Sequence, residues 1–414
     1  MKNLHSITQT YLNKFSNTTK LITETINKYC KQIIIIPSYC EPDLEKTLNS
    51  LLACQATEFI AEVIIVLNCA EGDSEAKEFH EKQKKELEKK ILANGNLAFY
   101  FITVDDLPLK HAGVGLARKI GMDEAVRRFE AIDYDGLLVC LDGDCTVNKT
   151  YLLELEKYAR SPQNYNTICL HFEHNLENEK DEILKKGIIL YELFLRYYKE
   201  ALSYCHFPYA FHTIGSSMAV KASIYCKAGG MNKRKAGEDF YFLNKIFHYG
   251  KVIELNSAIV YPSARISTRV PFGTGRAQQN FIEKKDDTFN TYAFQIFEDL
   301  KTLFETDLYG KEINLELLPK FLHQFLKENE FENKLKEIKN NTTSKQQFKK
   351  RFFDWLDAFM LLKFVHYARD NYSPNTAILQ EVNKLVNKTQ VLSLASEKEQ
   401  LIYLRTLQVS NKII

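Results

Sequence analysis

Leu137-Leu138-Val139-Cys140-Leu141-Asp142-Gly143-Asp144 is a short apolar run that stops abruptly on two carboxylates. An uninterrupted run of this length suits a strand buried on both faces, as in a parallel sheet, where ligands bind beyond the carboxyl ends of the strands. Working outward, Ile33–Ile36, Val63–Leu67 and Leu97–Val104 have the same texture. Between them Leu44–Cys54, Ser74–Leu92 and Val114–Phe129 have the length of crossover helices. The rhythm predicts an α/β domain on a mostly parallel sheet flanked by helices. Within the second helix, Glu81–Lys90 is dominated by Lys and Glu and reads as a solvated face rather than a binding patch.

Further elements follow along the chain: a helix at Leu152–Tyr158, a strand at Thr167–Phe172, an aromatic-rich helix at Glu182–Tyr204, a strand at Met218–Lys221, a helix at Asp239–Tyr249 and a strand at Lys251–Leu255. Residues 1–30 space Leu4, Ile7, Tyr11, Phe15, Ile22 and Ile26 helically, which predicts one or two packing helices. From Glu283 onward, apolar side chains recur at helical spacing, as in Leu356/Phe359/Met360/Phe364, with Asn340–Lys350 as the expected loop. The organisation read from the sequence is therefore an N-terminal helical segment (1–30), an α/β domain (31–282) and a C-terminal helical region (283–414).

The 414 residues are 45% hydrophobic and 26% charged, a globular composition. With 55 basic and 53 acidic side chains the net charge is +2, so there is no general field for a polyanion and no nucleic acid is expected as a partner. The nine cysteines form no CxxC pair, which suits reduced thiols in a cytoplasmic chain. Residues 1–30 lack the apolar core of a signal peptide. Phe352–Val365, interrupted by Asp354, Asp357 and Lys363, is too short and too charged to span a bilayer. No transmembrane segment is expected, and peripheral membrane contact stays open.

The residues directly after each apolar run carry the chemistry. Asp142 and Asp144, at a strand end with glycine between them, offer hard oxygen ligands to Mg²⁺ or Mn²⁺. A cation held by only two carboxylates completes its shell from substrate phosphates, which implies a diphosphate. The plainer alternative is an acidic turn. Glu238-Asp239 precedes the amphipathic stretch Phe240–Tyr249, where the pair either caps a helix or supplies a base for an attacking hydroxyl. Arg269 and Arg276, with Gly273 and Gly275 between them, suit a loop closing over phosphates, or are ordinary surface arginines.

Pro37-Ser38-Tyr39 after a strand, Gly113/Gly115/Arg118, Asp142-Gly143-Asp144, Gly229-Gly230 and Glu238-Asp239 occur in an order that resembles the family 2 glycosyltransferases, over residues 32–276. The resemblance implies a GT-A-like fold, a nucleotide-diphosphate sugar donor, a divalent metal, and inversion at the anomeric carbon. By position it makes Asp142 and Asp144 the metal residues, with Asp144 the direct ligand and Asp142 nearer the donor's sugar or ribose. Asp239 corresponds to the catalytic base, beside Glu238. Pro37, Ser38, Tyr39 and Glu41 match the segment lining the nucleotide site. Arg118 is a contact on the nucleotide side or a structural ion pair. The family's QxxRW motif is absent, so Arg269 and Arg276 stand in for its arginine. Where many members have paired aspartates to recognise the base, this chain has Asn68, Glu71 and Asp73.

The expected activity is transfer of a sugar to an acceptor hydroxyl in glycan or glycoconjugate synthesis; the acceptor is a saccharide, a lipid-linked molecule or a small metabolite. Two alternatives remain at this stage: a sugar-phosphate nucleotidyltransferase, and a non-catalytic glycan-binding or scaffold protein of the same fold. A dinucleotide-binding fingerprint is excluded, since Arg118 stands where its third glycine belongs. His111, His171, His174, His206 and His212 lack zinc-protease spacing; packing or hydrogen bonding suits each, with an acceptor-side role for His212 as the alternative.

Overall fold

The computed structural model describes residues 4–16, 19–91, 96–161, 165–267, 273–284, 289–310, 314–388 and 392–410. The four apolar runs are strands β1 (Cys30–Ser38), β2 (Ile60–Ala70), β3 (Leu97–Leu107) and β4 (Leu137–Cys140). They pair in parallel, with β1 between β2 and β4. Strands β5 (Thr146–Val147), β6 (Thr167–Phe172), β7 (Met218–Lys221) and β8 (Val252–Tyr261) complete a sheet of order β3-β2-β1-β4-β7-β6-β8-β5. β7 runs antiparallel to β4 and β6, and β5 antiparallel to β8, while β6 and β8 are parallel. The expected α/β architecture, a mostly parallel sheet flanked by helices with a helical C-terminal region, is what the chain forms.

Ile33–Ile36 and Val63–Leu67 are wholly buried, which explains why these strands read as unbroken apolar runs instead of alternating ones. The helix Val114–Ala131 packs on β1 and β2 and is buried almost all round. Such a helix is ordinarily apolar, yet this one carries Arg118, Lys119, Asp123, Glu124 and Arg128 into the interior, each with a partner. Lys119 donates to Asp123 at 2.9 Å and to the Tyr11 hydroxyl at 2.7 Å, and Tyr225 donates to Asp123 at 2.7 Å. Arg128 pairs with Glu62 of β2. A buried charge is tolerable only with such partners.

The N-terminus forms one of the one or two expected helices among its described residues, Leu4–Phe15, while Ile22 and Ile26 are buried without being helical. The Glu124 carboxylate accepts from the backbone N–H groups of Leu21 and Ile22, both at 3.1 Å, and Arg128 donates to the Glu24 carbonyl at 2.9 Å. Side chains thus take the place of intrahelical bonds. Gly230 is left-handed at φ 74°, and a Cβ there would lie 2.0 Å from the Tyr11 hydroxyl, so the Gly229-Gly230 pair makes room for the N-terminal helix.

Contacts divide the described chain into two compact units, residues 1–179 with 213–276, and residues 180–212 with 277–414. The helix Glu182–Tyr204 counts with the second unit, although chain order places it between β6 and β7. Within that unit, buried Arg196 donates to Glu192 at 2.7 Å, and Glu192 accepts from Arg405 at 2.7 and 2.6 Å, tying Glu182–Tyr204 to the helix Glu397–Val409. Tyr197 and Tyr198 of this aromatic helix pack against Phe297. The loop expected at Asn340–Lys350 is shorter than that: Ser344 caps a helix, Lys345–Trp355, by accepting from the Gln347 N–H at 3.2 Å. Among the described residues no helix is long and apolar enough to cross a membrane.

Candidate active site

The parallel strands all deliver their carboxyl ends to one edge of the sheet, so the segments after β1, β2 and β4 meet there. Asp142, just past β4, accepts from the Arg118 Nη2 at 2.6 Å. The other terminal nitrogen of Arg118 is paired with Glu238. Arg118 is buried to 1% exposure, so its planar fork joins the two acidic motifs of the sequence through one desolvated cation.

Two close approaches make that junction. At Gly115 in the first turn of Val114–Ala131, a Cβ would lie 2.2 Å from the Arg234 carbonyl oxygen and 3.1 Å from the Glu238 Cβ. The loop leading into Glu238 therefore packs directly on this turn. At Gly215 a Cβ would lie 2.8 Å from the Arg118 Nη1 and 3.0 Å from Asp239 Oδ2. The Gly215 N–H donates to Asp239 Oδ2 at 2.9 Å, and the Phe240 N–H donates to Oδ1 at 2.7 Å. Asp239 is thereby fixed in orientation, with a lone pair left on each oxygen. Burial raises the pKa values of both Glu238 and Asp239 from their ordinary values, and the Arg118 charge opposes the rise. Gly237, left-handed at φ 70°, opens the helix Glu238–Phe247, so the capping position and the buried pair coexist.

A second acidic group lies beside the first. Glu41, after β1, is buried and paired with Arg265, which also donates to Asp43 at 3.2 Å and stands 3.6 Å from Asp144 Oδ2. Burial, reinforced by the charges of Asp142 and Glu41, pushes the Asp144 carboxyl up to about 6. Crowded carboxylates of this kind gain from an added cation. Among the described residues no group of three His, Cys, Asp or Glu side chains is arranged to hold a metal. Asp142 and Asp144 fit Mg²⁺ or Mn²⁺ only as a partial shell that substrate oxygens complete.

The remaining sequence candidates are placed as follows. Pro37 and Ser38 end β1; Ser38 is buried, and its hydroxyl has no hydrogen-bond partner among the described residues. Tyr39 is exposed and donates to Asp73 Oδ2 at 2.9 Å across the ends of β1 and β2. Asn68 is buried near the end of β2, where the β2–β3 ladder shifts register. Arg276 stands in the first turn of the helix Thr274–Lys284, and Arg269 lies outside the described residues. Sequence reasoning missed Arg265 and Gly215. Arg265 had a signal: β8 runs on to Tyr261 through polar Asn256 and Ser257, and the strand-end rule applied there points at Pro262–Arg265. Gly215 had none, since its role is a contact with two residues remote in sequence.

The family model described as "Glycosyl transferase family 2" matches residues 33–225. Those residues are a family 2 glycosyltransferase domain. The matched stretch runs from β1 to the short helix Ala222–Lys227, and so includes the glycosyltransferase domain's Asp142-Gly143-Asp144 but ends before Glu238 and Asp239. No curated protein matches the chain by sequence. Among solved structures, the S. aureus TarS fragment 1–349 in complex with UDP-GlcNAc is similar at 13% identity, covering 92% of this chain and 91% of that one, with a TM-score of 0.40. The mannosyltransferase PcManGT from Pyrobaculum calidifontis, in complex with GDP-Man and Mn2+, is similar at 13% identity, covering 99% and 94%, with a TM-score of 0.36. Neither likeness bears on which base, sugar or acceptor this glycosyltransferase domain handles.

Proposed function

We propose that this chain transfers a sugar from a nucleotide-diphosphate donor to an acceptor hydroxyl, inverting the anomeric centre, with Asp239 as the base and Asp144 and Asp142 as ligands of Mg²⁺ or Mn²⁺. One observation carries the reading: buried Arg118 bridges Asp142 and Glu238, so the diphosphate end and the base end belong to one centre. Inversion needs attack opposite the leaving group, and hence a base and a leaving-group site held apart on one rigid frame. A bound divalent cation supplies Lewis-acid stabilisation of the leaving diphosphate.

The chain's own residues do the rest. Asp239, held by two backbone N–H groups, takes the proton of the attacking hydroxyl, and its raised pKa brings it closer to the working pH. Tyr39, Asn68 and the Ser38 hydroxyl line the ends of β1 and β2, where the nucleoside is placed, and Glu41 with Arg265 closes the side next to Asp144. Arg269 and Arg276 are proposed as binding residues for the phosphates.

The test is a panel of nucleotide sugars assayed for released nucleotide, with and without Mn²⁺, across pH. Release is expected only with the metal. Because Asp144 must lose its proton to bind a cation, metal affinity is expected to fall as pH drops through about 6. Pyrophosphate formed from a nucleoside triphosphate and a sugar phosphate would contradict the reading in favour of nucleotidyl transfer.

A further inference from the structure

The stretch from Ala222 to Lys251 carries six basic residues, Lys227, Lys233, Arg234, Lys235, Lys245 and Lys251, against two acidic ones, Glu238 and Asp239, which are held inside the site. None of the six makes an ion pair among the described residues. Elsewhere on the surface, pairing of lysines is common, as in Lys77–Asp105, Lys90–Glu45 and Lys334–Glu337.

Lys227, Arg234 and Lys245 share a surface with aromatic rings. Tyr241, Lys245 and Tyr249 follow one another at helical spacing along and just past the helix Glu238–Phe247, and all three are exposed. The Arg234 guanidinium lies 3.8 Å from the centre of the Tyr241 ring. The Tyr249 hydroxyl donates to the Lys227 carbonyl at 3.1 Å, and Lys245 donates to the Ala228 carbonyl. Gly229 joins the patch to the N-terminal helix, since a Cβ there would be 3.7 Å from Lys245 Nζ and 3.9 Å from Phe15 Cζ. Phe15, Tyr241 and Tyr249 are 40%, 39% and 41% exposed.

We propose that this face docks the protein on an anionic membrane surface, with the lysines and Arg234 against lipid phosphates and the three rings at headgroup depth. Tyr241 and Tyr249, amphipathic rings with a polar tip, favour that depth, with apolar Phe15 beside them, and juxtaposed cations are drawn to anionic lipid. The charge is one-sided and the cations are unpaired, which is what a negatively charged plane complements. Because Asp239 opens the same helix, docking sets the base near the plane, where a lipid-borne acceptor hydroxyl would arrive. That last step rests on the proposed function; the docking itself does not.

The test is flotation of the full chain with vesicles of phosphatidylcholine containing about 30% phosphatidylglycerol, whose negative surface potential attracts basic residues, and with phosphatidylcholine alone. Binding is expected to the anionic vesicles only, and to weaken with salt. Lys227→Gln/Lys245→Gln/Lys251→Gln removes three exposed charges and is expected to lower partitioning by about 100-fold. Thermal stabilisation by nucleoside diphosphates should be the same for this variant and the unmodified protein, which separates a failure of docking from a failure of the transferase reading. Equal binding to both vesicle types, equal partitioning of the variant, capture by soluble polyphosphate in place of vesicles, or a dimer that buries this face in solution would overturn the proposal.

Discussion

Asp239→Asn is expected to lower turnover by about 10²–10⁴-fold with the protein still folded. The substitution removes the carboxylate proposed to accept the proton and little else. Asp239 accepts two backbone N–H bonds, from Gly215 and Phe240. Asn retains one carbonyl oxygen for one of them and turns an amide toward the other, a loss of about 1–3 kcal/mol. Nucleotide affinity should change little, because the proposed site of the donor's phosphates is at the Asp142 end. In the unmodified protein, burial raises the pKa of Asp239, so turnover should decline on the acid side as this carboxylate protonates. Circular dichroism and nucleotide release together check the result. Turnover within a fewfold of the unmodified protein would take the base role away from Asp239.

Arg118→Met is expected to have the largest effect on stability, about 3–5 kcal/mol, since it leaves Asp142 and Glu238 without the cation that both depend on. Methionine fills much of the arginine's volume, so the loss measures charge rather than a cavity. The sign with pH follows from the carboxylates. Glu238 is already raised by burial with Arg118 in place, and removing Arg118 raises it further. Above that pKa the variant carries an unpaired buried charge; below it the charge is gone. The gap between variant and unmodified protein should therefore narrow as pH falls. Denaturant titration at several pH values reads this directly. A loss under about 1 kcal/mol, or a gap that widens toward acid, would mean that Arg118 is not the bridge described.

The legible parts of the fold were those fixed by local pattern. Strands buried on both faces announced themselves as Ile33–Ile36 and Val63–Leu67, and strand ends then led to Asp142 and Asp144. Thr167–Phe172, Glu182–Tyr204 and Met218–Lys221 were readable to the residue because their flanks carry turn or capping residues, such as Asp181, which accepts from Ile183 and Leu184. What the pattern hid is interior charge. Val114–Ala131 reads as a half-polar helix, yet its polar residues face inward to Tyr11, Glu62, Asp142 and Glu238. Partners remote in sequence decide such burial, and no local period encodes them.

The same limit explains the candidate site. Glu238-Asp239 could be read as a helix start, and it is one. That the pair also meets Asp142 through Arg118 depends on Gly115 and Gly215 letting backbone and side chains approach closely. Arg265 was overlooked for a more ordinary reason: β8 continues past Asn256 and Ser257, polar residues that resemble a strand end.

The most direct measurement is thermal stabilisation of the unmodified protein and of Asp144→Ala by nucleoside diphosphates in Mn²⁺. Ligand at 100 times its dissociation constant adds about 2.7 kcal/mol to stability. The account predicts a shift of that order with at least one nucleoside diphosphate, dependent on the metal and lost in Asp144→Ala. No shift with any of them, or a shift that Asp144→Ala leaves intact, would contradict it.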